Sequence, residues 1–159
     1  VFSRDGGGVK RAQLLKESLE GRSGLETGFG FMEKRRSRGQ VTGDLFAGDV
    51  SGKAVFIVDD MIASGGTMLR AAHSCRERGA SSVHALATHG LFGLGADEFF
   101  ASSAIDRVIV TDSVSSATAT KDADSERRLD IVSVAPLLAE TIGRLHKGEP
   151  ISDLTGIED

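Results

Sequence analysis

The residues of this chain best suited to chemistry are two neighbouring acids and a glycine-rich stretch that follows them. Asp59 and Asp60 come directly after the apolar residues 55–58, and a Ser-Gly-Gly-Thr sequence occupies 64–67. Glycine lets the backbone approach a ligand without a Cβ in the way, so this stretch can direct N–H groups and hydroxyls at an anion. A phosphate group is therefore its predicted ligand. The stretch consists of Ser64, Gly65, Gly66 and Thr67.

The two acids require a different partner, because their carboxylates would repel a phosphate. Carboxylates accept hydrogen bonds from vicinal hydroxyls, and they also bind Mg²⁺. A sugar phosphate would satisfy the acids and the glycine-rich stretch together. The simpler alternative is that Asp59 and Asp60 only end a strand and that Gly65 and Gly66 only form a turn. We favour the ligand site because a strand, two acids, glycines and a helix follow one another in a single frame.

The elements that must hold these residues are a strand and a helix. Residues 55–58 predict a buried strand that ends at Asp59. From Thr67 onward the apolar residues recur with helical spacing, so a helix is predicted there. In an open α/β sheet, ligands bind outside the carboxyl ends of the strands, and the acids are expected at that edge. The apolar residues of the helix are Met68, Leu69, Ala72 and Cys75.

A second acid followed by glycines comes near the start of the chain. Residues 1–3 predict the end of a strand, and a helix with an apolar face is expected from Val9 onward. A strand of this length cannot hold its place in a sheet unaided, so we expect residues to precede Val1 in the natural protein. The acid and its glycines are Asp5, Gly6, Gly7 and Gly8, and the apolar face is Val9, Ala12, Leu15 and Leu19.

The rest of the chain alternates strands with helices. Apolar runs at 83–88, 107–111 and 129–132 predict further strands, a short helix is expected from Ala96, and Gly148 is expected to end the last helix. The spacing of the strands indicates a mostly parallel sheet with right-handed crossovers. The sequence therefore predicts an α/β fold.

Basic residues are concentrated in the segment 33–38, after a predicted strand. A solvated hairpin tip and an anion-binding loop explain this charge equally well. Nucleic acid is disfavoured as a partner, because the chain carries a net charge of −4 and no aromatic residues are interleaved with the basic ones. The basic residues are Lys34, Arg35, Arg36 and Arg38.

The composition is that of an ordinary globular protein. Of 159 residues, 40% are hydrophobic and 26% charged, which argues against disorder. No apolar run approaches the ~20 residues of a membrane span, so no membrane partner is expected. Cys75 is the single cysteine, predicted to be a core residue, and we expect a cytoplasmic protein.

Residues 55–68 resemble the phosphoribosyl-binding signature of the type I phosphoribosyltransferase fold, in the version found in the ribose-phosphate diphosphokinase family. Four more segments are similar to that family in order and spacing. The resemblance covers nearly the whole chain but only the C-terminal half of the family. It implies a mostly parallel sheet with helices on both faces and a flexible hairpin loop. It also implies that residues 1–159 form one domain of a two-domain enzyme. The four segments are 5–12, 33–36, 87–92 and 134–140.

The resemblance implies a role for each candidate residue. Residues 64–67 would hold the 5-phosphate of ribose 5-phosphate, and Asp59 and Asp60 its ribose hydroxyls. Asp5, followed by Gly6, Gly7 and Gly8, would hold the diphosphoryl group with Mg²⁺, and Asp5 would be the acid nearest the metal. Lys34 and Arg36 would clamp the phosphates of ATP. The chain departs from the family's usual residues at three positions: Arg4, Gly6 and Ala63.

The implied reaction transfers diphosphate from ATP to ribose 5-phosphate, giving AMP and phosphoribosyl pyrophosphate. The family assembles as homo-oligomers, dimers and often hexamers, and its N-terminal half supplies the adenine pocket, so this fragment alone is expected to be inactive. Two alternatives remain open at this point. One is a phosphoribosyltransferase that uses phosphoribosyl pyrophosphate with a nucleobase, and the other is a non-catalytic regulatory subunit of the synthetase.

Overall fold

The computed structural model describes residues 1–4, 6–37, 40–115 and 127–155, and for residues 6, 33–37, 40–44 and 155 it describes the backbone alone. Strands and helices alternate along these residues, and a 3-10 turn, Gly6–Gly8, precedes the first helix. The strands are β1 (Phe2–Ser3), β2 (Gly30–Ser37), β3 (Gln40–Ala47), β4 (Ala54–Ile62), β5 (Ser82–Gly90), β6 (Arg107–Thr111) and β7 (Leu129–Val132). The helices are α1 (Val9–Ser23), α2 (Gly66–Glu77), α3 (Ala96–Ala101), α4 (Ala135–Lys147) and α5 (Ser152–Thr155).

The strands form one seven-stranded sheet in the order β3-β2-β1-β4-β5-β6-β7. Every neighbouring pair is parallel except β2 and β3, which form the antiparallel hairpin expected around the basic segment. Parallel neighbours need helical crossovers, and the chain supplies one after β1, β4 and β5. The predicted α/β fold with a mostly parallel sheet is confirmed.

The direction in which the chain builds the sheet reverses between β1 and β4. From β1 the chain moves through α1 to β2 on one side, whereas from β4 it moves through α2 to β5 on the other. Because such crossovers are right-handed, α1 and α2 cover opposite faces of the sheet. A crevice forms where the strand order reverses, outside the carboxyl ends of the two strands. The glycines at 6–8 follow β1, and the stretch 64–67 follows β4.

The core lies mainly beneath α2. Five residues of this helix are buried, whereas α1 buries one and α4 none. Cys75 is fully buried, as predicted for a core residue, and burial raises the pKa of its thiol to about 11. None of the described helices is long and apolar enough to cross a membrane. The buried residues of α2 are Met68, Leu69, Ala71, Ala72 and Cys75.

One local prediction was wrong. Strand β4 does not end at Asp59 but continues to Ile62, because β5 extends beside it and pairs with Met61 and Ile62 through His89 and Gly90. The acids therefore lie within the last part of a strand rather than after it. The predicted apolar face of α1 lies on the more covered side of the helix, where Ala12 is buried and Val9, Leu15 and Leu19 are half-buried.

Candidate functional site

A cavity of about 210 Å³ opens at the carboxyl ends of β1 and β4, where the strand order reverses. It joins the residue after β1, the last part of β4, the predicted phosphate-binding stretch 64–67 and the start of α2. The position is the one at which open α/β sheets bind ligands. Its lining residues are Arg4, Asp59, Met61, Ile62, Ala63, Ser64, Gly65, Gly66, Thr67 and Met68.

The stretch 64–67 forms the turn into α2, and Gly65 makes that turn possible. Gly65 has a φ of +78°, and a Cβ built there would lie 2.4 Å from the ring of Phe99. No described side chain caps the N-terminus of α2, so the N–H groups of its first turn are available to an anion. Thr67 Oγ1 accepts a hydrogen bond from Arg70 Nη2 at 3.2 Å, which leaves its O–H free to donate.

Asp59 lies in the wall of this cavity and is only 6% exposed. Its Oδ2 pairs with Nε of Arg4, and its Oδ1 lies 3.4 Å from Nη1 of Arg11. The same Oδ1 accepts a hydrogen bond of 2.9 Å from the backbone N–H of Asp60. Burial raises the pKa of Asp59, against the opposing effects of the hydrogen bond from the Asp60 N–H and of the guanidinium of Arg4. In this conformation its carboxylate is committed to protein partners.

Asp60 presents a more accessible carboxylate, with 51% of its side chain exposed. Its Oδ1 accepts a hydrogen bond from the N–H of Met61 at 2.8 Å, and its Oδ2 lies 3.3 Å from Nη2 of Arg11. The interaction with Asp59 and then the charge of Arg11 lower the pKa of Asp60. Asp60 is therefore the more accessible of the two carboxylates at this edge.

The structure describes only part of the remaining candidate residues. Gly6, Gly7 and Gly8 form the 3-10 turn between β1 and α1, beside the cavity, whereas Asp5 lies outside the described residues. The backbones of Lys34 and Arg36 belong to β2 and pair with Asp44 and Val41 of β3, with a bulge between positions 35 and 36. β1 separates them from β4 in the sheet, and their side chains lie outside the described part of the chain. The structure therefore brings together Asp59 and the residues Ser64, Gly65, Gly66 and Thr67 in one cavity. Asp60 is not among the lining residues of that cavity and is linked to Asp59 through Arg11.

The carboxylates of the site suit one manner of Mg²⁺ binding. Within the described residues there is no group of three or more His, Cys, Asp or Glu side chains that could hold a metal ion. Mg²⁺ is usually held by one or two carboxylates together with substrate phosphates and water. The exposed carboxylate of Asp60 fits that manner of binding, so these residues suit an ion that arrives with its phosphate ligand.

Two arginines of the site were not expected from the sequence. Arg4 and Arg11 bracket the glycines that follow β1, and both reach the acids of β4. Their signal in the sequence was a basic residue directly after a strand and another in the first turn of the next helix, both on the ligand-binding edge. The glycines between them predict an anion-binding loop, and that pattern assigns no role to the flanking arginines.

A larger cavity, of about 410 Å³, lies at the other end of the sheet. Its walls include Phe2, Leu19 and Val55 and the start of β4, so it opens at the amino ends of the parallel strands. The acids and the stretch 64–67 take no part in it. Its size therefore does not make it the better candidate for the predicted chemistry.

The profile of the phosphoribosyl synthetase-associated domain matches residues 39–155. The chain belongs to this family. The phosphoribosyl synthetase-associated domain described here is 38% identical over 153 residues to a ribose-phosphate pyrophosphokinase of Pasteurella multocida, a match that covers 96% of this chain and 46% of the relative. It is also 38% identical over 154 residues to ribose-phosphate pyrophosphokinase 5 of Schizosaccharomyces pombe, covering 97% of this chain and 42% of the relative.

A solved structure agrees with this family membership. The phosphoribosyl synthetase-associated domain superposes on the crystal structure of phosphoribosylpyrophosphate synthetase from Mycobacterium smegmatis with a TM-score of 0.75 and 33% sequence identity. The superposition covers 92% of this chain and 44% of that one. The chain thus spans about half the length of the curated relatives it matches. The resemblance noted from the sequence is confirmed.

Proposed function

We propose that the protein carrying this chain is a ribose-phosphate pyrophosphokinase, which transfers diphosphate from ATP to ribose 5-phosphate. The observation that carries the proposal is the family membership, together with 38% identity to ribose-phosphate pyrophosphokinases along nearly the whole chain. In this proposal, residues 1–159 form the C-terminal domain of a two-domain enzyme. The cavity at the ends of β1 and β4 is its ribose 5-phosphate site.

Each part of the proposed site suits one part of the substrate. Backbone N–H groups and hydroxyls of residues 64–67 would donate to the 5-phosphate, since the turn and the uncapped N-terminus of α2 are directed into the cavity. Asp60, and Asp59 once one of its arginines moves, would accept hydrogen bonds from the ribose hydroxyls. The glycines at 6–8 would face the incoming diphosphoryl group, with Asp5.

The proposed reaction is an in-line displacement at phosphorus. The anomeric hydroxyl of ribose 5-phosphate attacks the β-phosphorus of ATP, the bond from that phosphorus to the oxygen of AMP breaks, and the hydroxyl proton passes to solvent. The protein contributes positioning and charge neutralisation to such a step. Lys34 and Arg36 would clamp the ATP phosphates. Mg²⁺, when bound, would neutralise further phosphate charge, with Asp5 and the exposed Asp60 as the nearest carboxylates.

The proposal also includes an oligomeric state and a cellular location. We expect a homo-oligomer, a dimer or a hexamer, in which the N-terminal half of a neighbouring subunit contributes to the adenine pocket. We also expect a cytoplasmic enzyme of nucleotide biosynthesis. The one cysteine, buried and unpaired, is compatible with a reducing compartment.

The proposal is tested by a coupled assay for AMP on the full-length protein. We expect AMP to form from ATP only when ribose 5-phosphate is present. Absence of AMP formation, together with consumption of phosphoribosyl pyrophosphate in the presence of a nucleobase, would identify a phosphoribosyltransferase instead. An inactive protein that alters the rate of a partner synthetase would identify a regulatory subunit.

The role of Lys34 gives a sharper test. Removing one donor to the charge that develops in a transition state typically lowers kcat by about 10²- to 10³-fold. We expect Lys34→Ala to lower kcat by this factor with little change in the KM for ribose 5-phosphate. Lys53→Ala is the matched control, because Lys53 is exposed, pairs with Asp49 at 2.7 Å and lies just before β4, at the opposite end of that strand. An unchanged kcat in Lys34→Ala would remove Lys34 from the mechanism.

A further inference from the structure

Arg4 occupies a position in the cavity that none of the predicted roles explains. It follows β1 directly, and its Nε pairs with Oδ2 of the buried Asp59. Three-quarters of the Arg4 side chain is buried. Among the described residues that line this cavity, Arg4 is the only cation and Asp59 the only anion. The two charges therefore neutralise each other inside the proposed ribose 5-phosphate site, and this inference rests on that proposed function.

The pairing creates a conflict with the proposed role of Asp59. A carboxylate that is only 6% exposed and pairs with an arginine through each of its oxygens gives a sugar hydroxyl little access to either oxygen. One arginine must leave before Asp59 can accept from the ligand. Arg11 is the less suitable one to leave, because it also contacts Asp60 and holds Oδ1 together with the N–H of Asp60. Arg4 holds the other oxygen and, unlike Arg11, lines the cavity in which the phosphate would bind.

A phosphate bound at residues 64–67 offers Arg4 an alternative partner. Both line the same cavity of about 210 Å³, so the phosphate would lie close to the guanidinium. Arginine forms charge-assisted hydrogen bonds with phosphate as readily as with carboxylate. Arg70 is the nearest other cation recorded at this turn, and it is bonded to the Thr67 hydroxyl from outside the cavity lining. Arg4 is thus the described cation best placed to meet the phosphate from within.

We propose that Arg4 is a specificity-determining residue that couples recognition of the phosphate group to exposure of Asp59. Without ligand, its guanidinium pairs with Asp59. When a phosphate monoester binds at 64–67, the guanidinium contacts the phosphate, and Oδ2 of Asp59 accepts from the hydroxyls of the same sugar. A free pentose has no phosphate to attract Arg4, so Arg4 stays paired with Asp59. The affinity of the site for a phosphorylated pentose should therefore exceed its affinity for the free pentose by more than the contacts of residues 64–67 alone would provide.

The test is a set of binding titrations on the full-length protein with inorganic phosphate, ribose 5-phosphate and ribose. Loss of a hydrogen bond to a charged group corresponds to about 10- to 100-fold in affinity. We expect Arg4→Met to weaken binding of inorganic phosphate and ribose 5-phosphate by that factor, and not to weaken binding of ribose. Arg4→Lys, which keeps the charge but not the planar donor pair, should show a smaller loss.

The matched control is Arg107→Met. Arg107 is exposed and pairs with Asp130 at 2.9 Å at the amino end of β6, so its removal also breaks an arginine–aspartate pair but outside the cavity. We expect it to leave all three affinities unchanged. If Arg4→Met lowers thermal stability but leaves the affinity for inorganic phosphate unchanged, Arg4 is only the counterion of Asp59 and the proposal is overturned.

Failure of this proposal and failure of the proposed function give different results. If the unmodified protein binds inorganic phosphate through Arg4 but has no affinity for ribose 5-phosphate, the proposed function fails while the phosphate contact of Arg4 stands. Should Arg4→Met not fold, NMR provides a second measurement. The Arg4 Nε–Hε resonance, assigned with Arg4→Lys, must shift when inorganic phosphate is added, and an unmoved resonance would overturn the proposal.

Discussion

Two segments of this chain follow the same plan, a strand, a glycine-rich turn and a helix, yet they differ in what supports them. In the β4–α2 segment the strand has nine residues and paired strands on both sides, and the helix buries five residues. In the β1–α1 segment the strand has two residues and the helix buries one. Both strands are paired on both sides, and both residues of β1 are fully buried, but the β4–α2 segment contributes far more residues to the core.

The difference separates two tasks within the candidate site. The β4–α2 segment contributes the backbone turn, whose geometry is set by core packing around Gly65, and the two acids. The β1–α1 segment contributes Arg4 and Arg11, long cationic side chains that reach the acids. Recognition by backbone groups requires a rigid support, whereas recognition by arginine tolerates a less buried one. Perturbing equivalent positions in the two segments should therefore have unequal effects.

The largest difference is expected between two glycines with left-handed backbones. At Gly65 a Cβ would meet the ring of buried Phe99 at 2.4 Å, whereas at Gly24, which ends α1, it would meet nothing within 4 Å. Gly24→Ala should cost only the backbone term, about 1 to 2 kcal/mol. Gly65→Ala should add an overpacking cost, for a total of about 2 to 5 kcal/mol. Urea unfolding measures both, and equal losses would contradict the claim that the core sets the turn at 64–67.

A smaller difference is expected between two leucines. Leu69 of α2 is 8% exposed and Leu14 of α1 is 47% exposed. Leu69→Ala should destabilise the fold near the lower end of the about 2 to 5 kcal/mol typical of core leucines. Leu14→Ala should remain within about 0.5 kcal/mol of the unmodified protein. A comparable loss in Leu14→Ala, measured by the same unfolding experiment, would mean that α1 packs more firmly than its exposure indicates.

The smallest expected effect is a pH dependence at Asp59, where the two segments meet. Burial raises the pKa of Asp59 above its ordinary value of 3.8, so its contribution to stability is complete below that value and is lost as the pH rises through the raised pKa. The free energy of unfolding of Asp59→Asn, compared with that of the unmodified protein, should therefore increase as the pH rises from about 3 to about 7.

Asp112, at the end of β6, provides the control of opposite sign. Hydrogen bonds from the Ser133 hydroxyl, at 2.6 Å, and the Val134 N–H, at 2.8 Å, lower the pKa of Asp112. The contribution of Asp112 to stability is present above its ordinary pKa and is lost as the pH falls through the lowered pKa. The free energy of unfolding of Asp112→Asn, compared with that of the unmodified protein, should therefore decrease as the pH rises from about 3 to about 7. Unfolding titrations at both pH values measure the two trends. Trends of the same sign would show that burial does not dominate at Asp59.

Much of the fold followed from local patterns. The strand at 107–111, the strand at 129–132 and the end of α4 at Gly148 were predicted where they occur, because apolar runs and a terminal glycine are local signals. The end of β4 was missed, since Asp60 and Met61 continue the strand only because β5 lies beside them. The apolar face of α1 was predicted on the side of the helix that is the more covered, but how far it is buried was not. Helical periodicity identifies an apolar face but not whether another element covers it.

The sequence by itself determined the order of strands and helices, the glycine-rich turn and the presence of paired acids, all of which depend on residues close together along the chain. The tertiary structure alone decided which charges meet. Arg11 and Asp59 are 48 residues apart, and they come together because β1 pairs with β4 at the point where the strand order reverses. Charge pairing depends on distance in space, and no local pattern records it.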